Sequence, residues 1–549
     1  MNRKFFLNLL SASLVLCIFI FPQVKAISAE AAECAVVKTA QGSVSGTLNP
    51  KVPVCSYKGI PYAAPPVGAL RWAMPEAPKP WKGVLAADHF RDVCMQKTFS
   101  LFGNGEKTSY EGSEDCLYLN IWRPAGSSGG GLPVMVFIHG GSLMSGAGSW
   151  ELYDGTQIAL RGNVILVTIN YRLGPFGLLA HPALRDREGY EGNYSLYDQI
   201  AALKWVKKNI AQFGGDPANV TLFGESAGGM SVAAHLLSPL SRGLFDKAII
   251  ESGPQLFMGA PLKTNEDAAM SIAKKLRCAE AKTAAACLRR AKAEEVMAAS
   301  NEAMTPRGGT VEIYDINTVM DDRIVFTNPY RLFAEGKFNK EIKIIIGSNR
   351  DEADLTAMSR PLKDRNEFDS TLTEDAGWAK KGLNLDLDID GIKARYPFES
   401  YKTPRRAYSA IFTDMIYACP SVIHVWQLAA NGATVYQYQF EKSPDDRGML
   451  NDMGVFHAAE LPFVFGNFSF MGLNFSSSKN LKLSKKVISL WTSFARDGIP
   501  AAEEVPEWPP YTAGNPAYLR IDSNPSVGLD MRKNACAYFD AYYKKAYSE

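Results

Sequence analysis

The sequence predicts an α/β fold, with a central, mostly parallel sheet flanked by helices, on three observations. Short runs rich in Val, Ile and Phe recur at Val134 to Ile138, Val164 to Ile169, Val220 to Phe223, Ile249 to Ile250 with flanks, and Ile342 to Ile346. They are predominantly apolar, as strands covered on both faces must be. Helical patterns lie between some of them, most clearly Asp198 to Phe213, where Ile200, Leu203, Trp205, Val206 and Ile210 form an apolar stripe and Lys204, Lys207 and Lys208 a wet face. Gly214-Gly215-Asp216-Pro217 then stops that helix. Strands alternating with helices favour a doubly wound sheet, whose ligands sit beyond the carboxyl ends of its strands.

From the amino terminus, Arg3 and Lys4 precede an apolar stretch from Phe5 to Phe21, and Val24-Lys25-Ala26 supplies small residues for a signal peptidase. Residues 1–26 read as a signal peptide rather than a membrane-anchoring helix, which that stretch is barely long enough to be. No stable anchor is expected after its removal, and Cys17 follows Leu16, not the small residue of a lipid-attachment motif. Residues 27–549 read as one catalytic domain, because no linker rich in Pro, Gly or Ser separates two cores. With 46% hydrophobic and 21% charged residues, the chain has the balance of a globular protein with a large core. A formal net charge of +2 offers no basic field for nucleic acid, so a small molecule is the expected partner.

Nine cysteines become eight once Cys17 leaves with the signal: Cys34, Cys55, Cys94, Cys116, Cys278, Cys287, Cys419 and Cys536. An even number suits disulfides in an oxidising compartment, secreted or periplasmic. None forms a CxxC pair, so spacing supports neither a zinc site nor a thioredoxin-like motif, and no metal or organic cofactor is expected. The Ala-rich segments near Ala284 and Ala298 read as surface helix.

The chemistry concentrates where Val220-Thr-Leu-Phe223 runs into Gly224-Glu225-Ser226-Ala227-Gly228-Gly229 and then an apolar helix pattern from Met230 to Leu237. Strand, tight turn and helix make this GxSxG a nucleophile elbow: a strained turn projects the Ser226 hydroxyl, while Gly224 and Gly228 let strand and helix pass closely. The helix amino terminus puts the Ala227 N–H where an oxyanion would form. A serine hydroxyl needs a base, and the base an orienting carboxylate, in the chain order Ser, acid, His. Of the six histidines only His424 and His457 lie well beyond Ser226 and after a plausible acid. His424 sits in an apolar helix-like run and reads as a core residue; His457, between the Gly448 to Gly454 loop and a helix start at Glu460-Leu461, reads as the base. For the acid, the strand Ile344-Ile-Ile346 ends in Gly347-Ser-Asn-Arg-Asp351-Glu352, where either carboxylate could serve. The loop His139-Gly140-Gly141-Ser142 after another strand can supply the remaining oxyanion N–H groups, its glycines allowing close approach.

At this level the chain resembles the type-B carboxylesterase and cholinesterase family, of the α/β-hydrolase fold. The likeness rests on Gly59-Ile-Pro-Tyr-Ala63 with Pro65-Pro66-Val67-Gly68, Ser113-Glu-Asp-Cys-Leu-Tyr-Leu-Asn-Ile-Trp122, Asn170-Tyr-Arg-Leu-Gly-Pro-Phe-Gly177, and Phe213-Gly-Gly-Asp-Pro217 through Phe223-Gly-Glu-Ser-Ala-Gly228. It implies a serine hydrolase that cleaves carboxylic esters through an acyl-enzyme, with Glu352 as acid, His457 as base, and Gly141, Ser142 and Ala227 as oxyanion donors. It implies that Glu225 tunes the charge near His457, and that Arg71 pairs with Glu114 and Arg172 with Asp198. It pairs Cys94 with Cys116, Cys278 with Cys287 and Cys419 with Cys536, leaving Cys34 and Cys55 for each other.

Three departures bear on substrate and turn. Ser142 stands where many relatives have Gly or Ala, and Ala353 follows Glu352 where Gly is usual. The loop from Cys94 to Cys116 lacks the Trp with which cholinesterases hold a quaternary ammonium, so choline esters are not the expected substrate. An intact Ser226, Glu352 and His457 argue against a neuroligin-like binding protein, and Phe99, Leu101 and Phe102 are the candidate lid of a lipase. The Asn-x-Ser/Thr matches at Asn193, Asn219, Asn467 and Asn474 read as chance.

Overall fold

The computed structural model describes residues 34–98, 109–126, 130–253, 259–306, 314–444, 452–470 and 473–547. The candidate lid residues Phe99, Leu101 and Phe102, the signal segment 1–26 and the first part of the Gly448 to Gly454 loop lie outside them.

The central sheet is built from β1 (Thr47–Leu48), β2 (Val54–Pro61), β3 (Tyr118–Pro124), β4 (Leu132–Ile138), β5 (Ile165–Ile169), β6 (Gly215–Glu225), β7 (Lys247–Glu251), β8 (Lys343–Asn349), β9 (Val435–Phe440), β10 (Ala517–Ile521) and β11 (Ser526–Leu529). Their spatial order is β1-β2-β3-β5-β4-β6-β7-β8-β9-β10-β11. Pairing is parallel from β5 through β10 and antiparallel toward both edges. The sheet is therefore mixed, with the parallel core that the apolar runs predict.

Those runs are predominantly apolar because both faces are covered. Along β4, Val134, Val136 and Ile138 enter the core on one face, and Met135 and Phe137 enter the core on the other. On the second face Phe137 meets Tyr153, Phe223 and Phe465 with ring centroids 4.8–4.9 Å apart. Burying side chains of this size contributes about 1.5–3 kcal/mol each.

The helices that bear on the site are α1 (Tyr194–Asn209), α2 (Ala227–Leu237), α3 (Pro404–Phe412), α4 (Cys419–Ala430), α5 (Ser478–Asp497) and α6 (Lys533–Ala546). The predicted helix Asp198 to Phe213 is α1 followed by a 3-10 turn at Ile210–Phe213, and it ends at Gly214 with φ +85°. The helix starts earlier than its apolar stripe predicts, and Gly215 and Pro217 belong to β6 rather than to the stop. Pro217 is tolerated there because the β4–β6 register shifts between Gly215 and Val220, so no ladder N–H is demanded of it. His424 lies buried in α4 against Phe333, a core residue as read.

Disulfides join Cys34 to Cys55, Cys94 to Cys116, Cys278 to Cys287 and Cys419 to Cys536, the last tying α4 to α6. Arg71 bonds Glu114 and the carbonyls of Leu288 and Ala291, while Arg172 grips Asp198 in a buried two-pronged pair at 2.7 and 2.8 Å. Among the described residues, no helix is long and apolar enough to cross a membrane.

Candidate active site

β6 delivers Ser226 at the carboxyl end of the parallel core, and α2 begins at the next residue. Ser226 has φ +57° and ψ −125°, a conformation that costs a non-glycine residue energy and persists only where its surroundings impose it. Two backbone bonds impose it: the Ser226 N–H donates to Glu251 O at 2.9 Å, and Ser226 O accepts from Met230 N–H at 2.8 Å. The turn is also packed backbone on backbone. A Cβ on Gly228 would lie 2.0 Å from Ile138 O, and one on Gly224 would lie 2.6 Å from the Gly228 carbonyl carbon.

The glycine loop after β4 closes over the same point. Gly141, Ser142 and Leu143 have φ of +101°, +55° and +59°, a sharp left-handed turn in which Gly141 O accepts from the Met144 and Ser145 N–H groups. A Cβ on Gly140 would stand 2.8 Å from Glu225 Oε2 and 3.0 Å from Ser226 Cβ, so only glycine lets this backbone lie against the serine. Below it, buried His139 stacks on Tyr171 at 4.3 Å, and the Tyr171 hydroxyl donates to His139 O at 2.6 Å. Burial pulls the His139 imidazole down to about 4, keeping it neutral.

Glu352 and His457 meet across the ends of β8 and the segment before the short helix Leu461–Phe465. His457 Nδ1 lies 2.8 Å from Glu352 Oε2, while Glu352 Oε1 accepts from the Ser252 hydroxyl and the Asn349 N–H, each at 2.6 Å. Both partners of Oε1 are donors, which leaves Oε2 to accept from the His457 ring. Asp351, the chemically possible alternative, points instead to the Val455 N–H. Ala353 has φ −78° and donates its N–H to Thr413 Oγ1, so the turn needs no glycine there.

His457 Nε2 faces Glu225 Oε1 at 3.3 Å, and among the described residues no hydrogen bond joins it to the Ser226 hydroxyl. Burial works against charge on this imidazole, but the Glu225 and Glu352 carboxylates outweigh it and raise its pKa well above the usual value. Burial likewise pushes Glu225 up to about 7, opposed by His457 and reinforced by Glu352. Two further buried acids stand behind: Glu251, accepting from the Trp491 indole on α5, and Glu460, accepting from the Asn349 amide. Sequence reasoning missed Ser252, Asn349, Glu251 and Glu460, whose only local signal is adjacency to a strand end or to His457. Among the described residues no three His, Cys, Asp or Glu side chains converge to hold a metal ion.

A strained serine between strand and helix, a glycine loop against it and a carboxylate–imidazole pair beside it agree with what the whole chain matches, since residues 33–539 fit the carboxylesterase family. The chain belongs to the carboxylesterase family. Its relatives include the para-nitrobenzyl esterase of Bacillus subtilis (strain 168), 36% identical with 90% of this chain and 96% of that protein covered. The liver carboxylesterase of Sus scrofa is 33% identical, with 93% of each chain covered. Among solved structures, a PNB esterase superposes with a TM-score of 0.76 at 35% identity, covering 92% of this chain and all of that one. A thermophilic PNB esterase gives 0.77 at 33%, with the same coverage. This carboxylesterase is thus an α/β-hydrolase-fold serine hydrolase that cleaves carboxylic esters.

Proposed function

We propose that Ser226 is the nucleophile, His457 the general base and acid, Glu352 the orienting acid, and the N–H groups of Gly141, Ser142 and Ala227 the oxyanion hole. The observation that carries this reading is the 2.8 Å bond from His457 to a buried Glu352, beside a serine held in a left-handed elbow. As an ester docks, His457 Nε2 turns from Glu225 to the Ser226 hydroxyl, a bond of the kind that tightens only when substrate is present. Ser226 Oγ then forms a bond to the carbonyl carbon while its proton passes to Nε2. The oxyanion receives the backbone N–H groups, which stabilise the charge where it develops. Collapse breaks the bond to the alcohol, which leaves with the proton from Nε2. Water attacks the acyl carbon by the same route, returning the proton through His457 to Ser226 and releasing the acid.

Glu225 acts through charge, favouring the imidazolium that forms when neutral His457 takes the Ser226 proton. The substrates are small neutral esters rather than choline esters, since the Cys94 to Cys116 segment has no Trp to bind a quaternary ammonium. Residues 27–549 form one catalytic domain, exported by a signal peptide over residues 1–26 to a secreted or periplasmic location; the four disulfides support an oxidising compartment. A short aryl ester and the choline ester of the same acyl group, assayed with Ser226→Ala as control, test the reading. The neutral ester should show a several-fold higher kcat/KM, because a cation over an aromatic ring gains about 0.5–2 kcal/mol that is missing here. Preference for the choline ester overturns the substrate reading, and full activity in Ser226→Ala overturns the nucleophile.

A further inference from the structure

Beside the acid, the neighbouring carboxylate has a use of its own. The Val455 N–H donates to Asp351 Oδ2 at 2.9 Å, and the Asp351 N–H donates to Val455 O at 3.0 Å. Two residues on, the His457 N–H donates to Glu352 O at 3.2 Å. These bonds zip the turn carrying Glu352 to the segment carrying His457, and one of them depends on a side chain. That segment lies outside any strand and needs holding: Gly454 has φ +66° and Ala458, next to the imidazole, has φ +69°. A Cβ on Gly454 would lie 2.3 Å from Asp351 Oδ2, so glycine is what admits the carboxylate. From α3, Arg405 and Arg406 each donate to Asp452 O at 2.6 Å, fixing the start of the same segment.

We propose that Asp351 is a positioning residue for ester hydrolysis, gripping Val455 so that the His457 ring stands where it can serve both Glu352 and Ser226. This rests on the reading of His457 as the base. Asp351 touches no reacting atom; it acts through two residues of backbone. A ring displaced by about an ångström can cost on the order of a hundredfold in rate.

The test compares Asp351→Ala, Asp351→Asn and Gly454→Ala for kcat per titrated active site on a neutral aryl ester, the rate of inactivation by a fluorophosphonate, and the pH dependence of both. Asp351→Ala should lower kcat and the inactivation rate together by roughly ten- to a hundredfold and displace the acid limb of the pH profile, with KM little changed. Asp351→Asn retains an acceptor for the Val455 N–H and should recover most of the rate. Gly454→Ala, which drives a methyl into the carboxylate, should resemble Asp351→Ala and carries the test if that variant does not fold. A merely structural role would lower the melting temperature and the fraction of active sites without moving the rate per site or the pH limb. A folded Asp351→Ala, or a folded Gly454→Ala, with wild-type kcat per site overturns the proposal. Full turnover in His457→Ala overturns instead the base reading on which it stands.

Discussion

Around Ser226 the constraint is backbone against backbone: Gly140, Gly224 and Gly228 admit neighbouring main chain where a Cβ would lie 2.0–3.0 Å from other atoms, and the serine's own N–H and carbonyl are both bonded to main chain. Around His457 it is side chain to main chain and acid to base: Glu352 on Nδ1, Glu225 facing Nε2, and Asp351 on Val455. The serine side is rigid because packing leaves it no alternative. The histidine side carries its ring on an irregular segment, and the proposed reaction has that ring turn from Glu225 to Ser226. Substitution should accordingly damage chemistry on the histidine side and folding on the serine side.

The largest effect should come from Glu352→Gln. The amide keeps the size of the side chain but no longer dictates the imidazole tautomer, and kcat should fall on the order of 10⁴-fold in a folded protein. Steady-state kinetics with circular dichroism check it, and a loss below tenfold would erase the distinction between Glu352 and its neighbour Asp351.

Gly228→Ala is the complementary change, since its Cβ would lie 2.0 Å from Ile138 O in the most tightly packed part of the elbow. Overpacking of this kind costs about 1–3 kcal/mol, and here the opposing atom is backbone, which yields little. The urea midpoint should drop with unchanged slope; an unchanged midpoint would mean that the elbow is looser than its contacts imply.

Glu225→Gln should have the smallest effect on maximal rate and a visible effect on pH. A base works deprotonated, and the Glu225 carboxylate helps to raise the His457 pKa, so the acid limb of the wild-type kcat profile should lie above the ordinary imidazole value. Removing that negative charge should move the limb to lower pH by roughly one unit. A shift to higher pH, or none, would show that Glu225 does not act through charge.

The same contrast decides what could be read from the sequence. The motif of the elbow falls within Gly224 to Gly228 at the end of a strand whose Val220, Leu222 and Phe223 are buried and apolar, so sequence alone points to a nucleophile there. On the other side, chemistry left Glu352 and Asp351 equal, because what separates them is a partner about a hundred residues away: His457 for one, the Val455 N–H for the other. Ser252 is equally remote from Glu352 in the chain, and no local pattern announces its bond. The start of α1 is hidden from the sequence for a related reason. Asn193 precedes it at φ +55° without capping it, and spends its side chain on Val319 and Asp321 instead. The outermost antiparallel strands are equally silent in the sequence; β1 has only two residues, and the exposed Val527 and Leu529 of β11 show no apolar run.

The central claim is that Ser226 is activated by His457 across these two differently built halves, and covalent labelling tests it most directly. A fluorophosphonate requires an activated hydroxyl beside an oxyanion hole, so peptide mapping by mass spectrometry after treatment should find one adduct, on Ser226. Because triad members act as a unit, His457→Ala should abolish that adduct while leaving the fold intact. An adduct on another residue, or undiminished labelling of Ser226 in His457→Ala, would contradict the account.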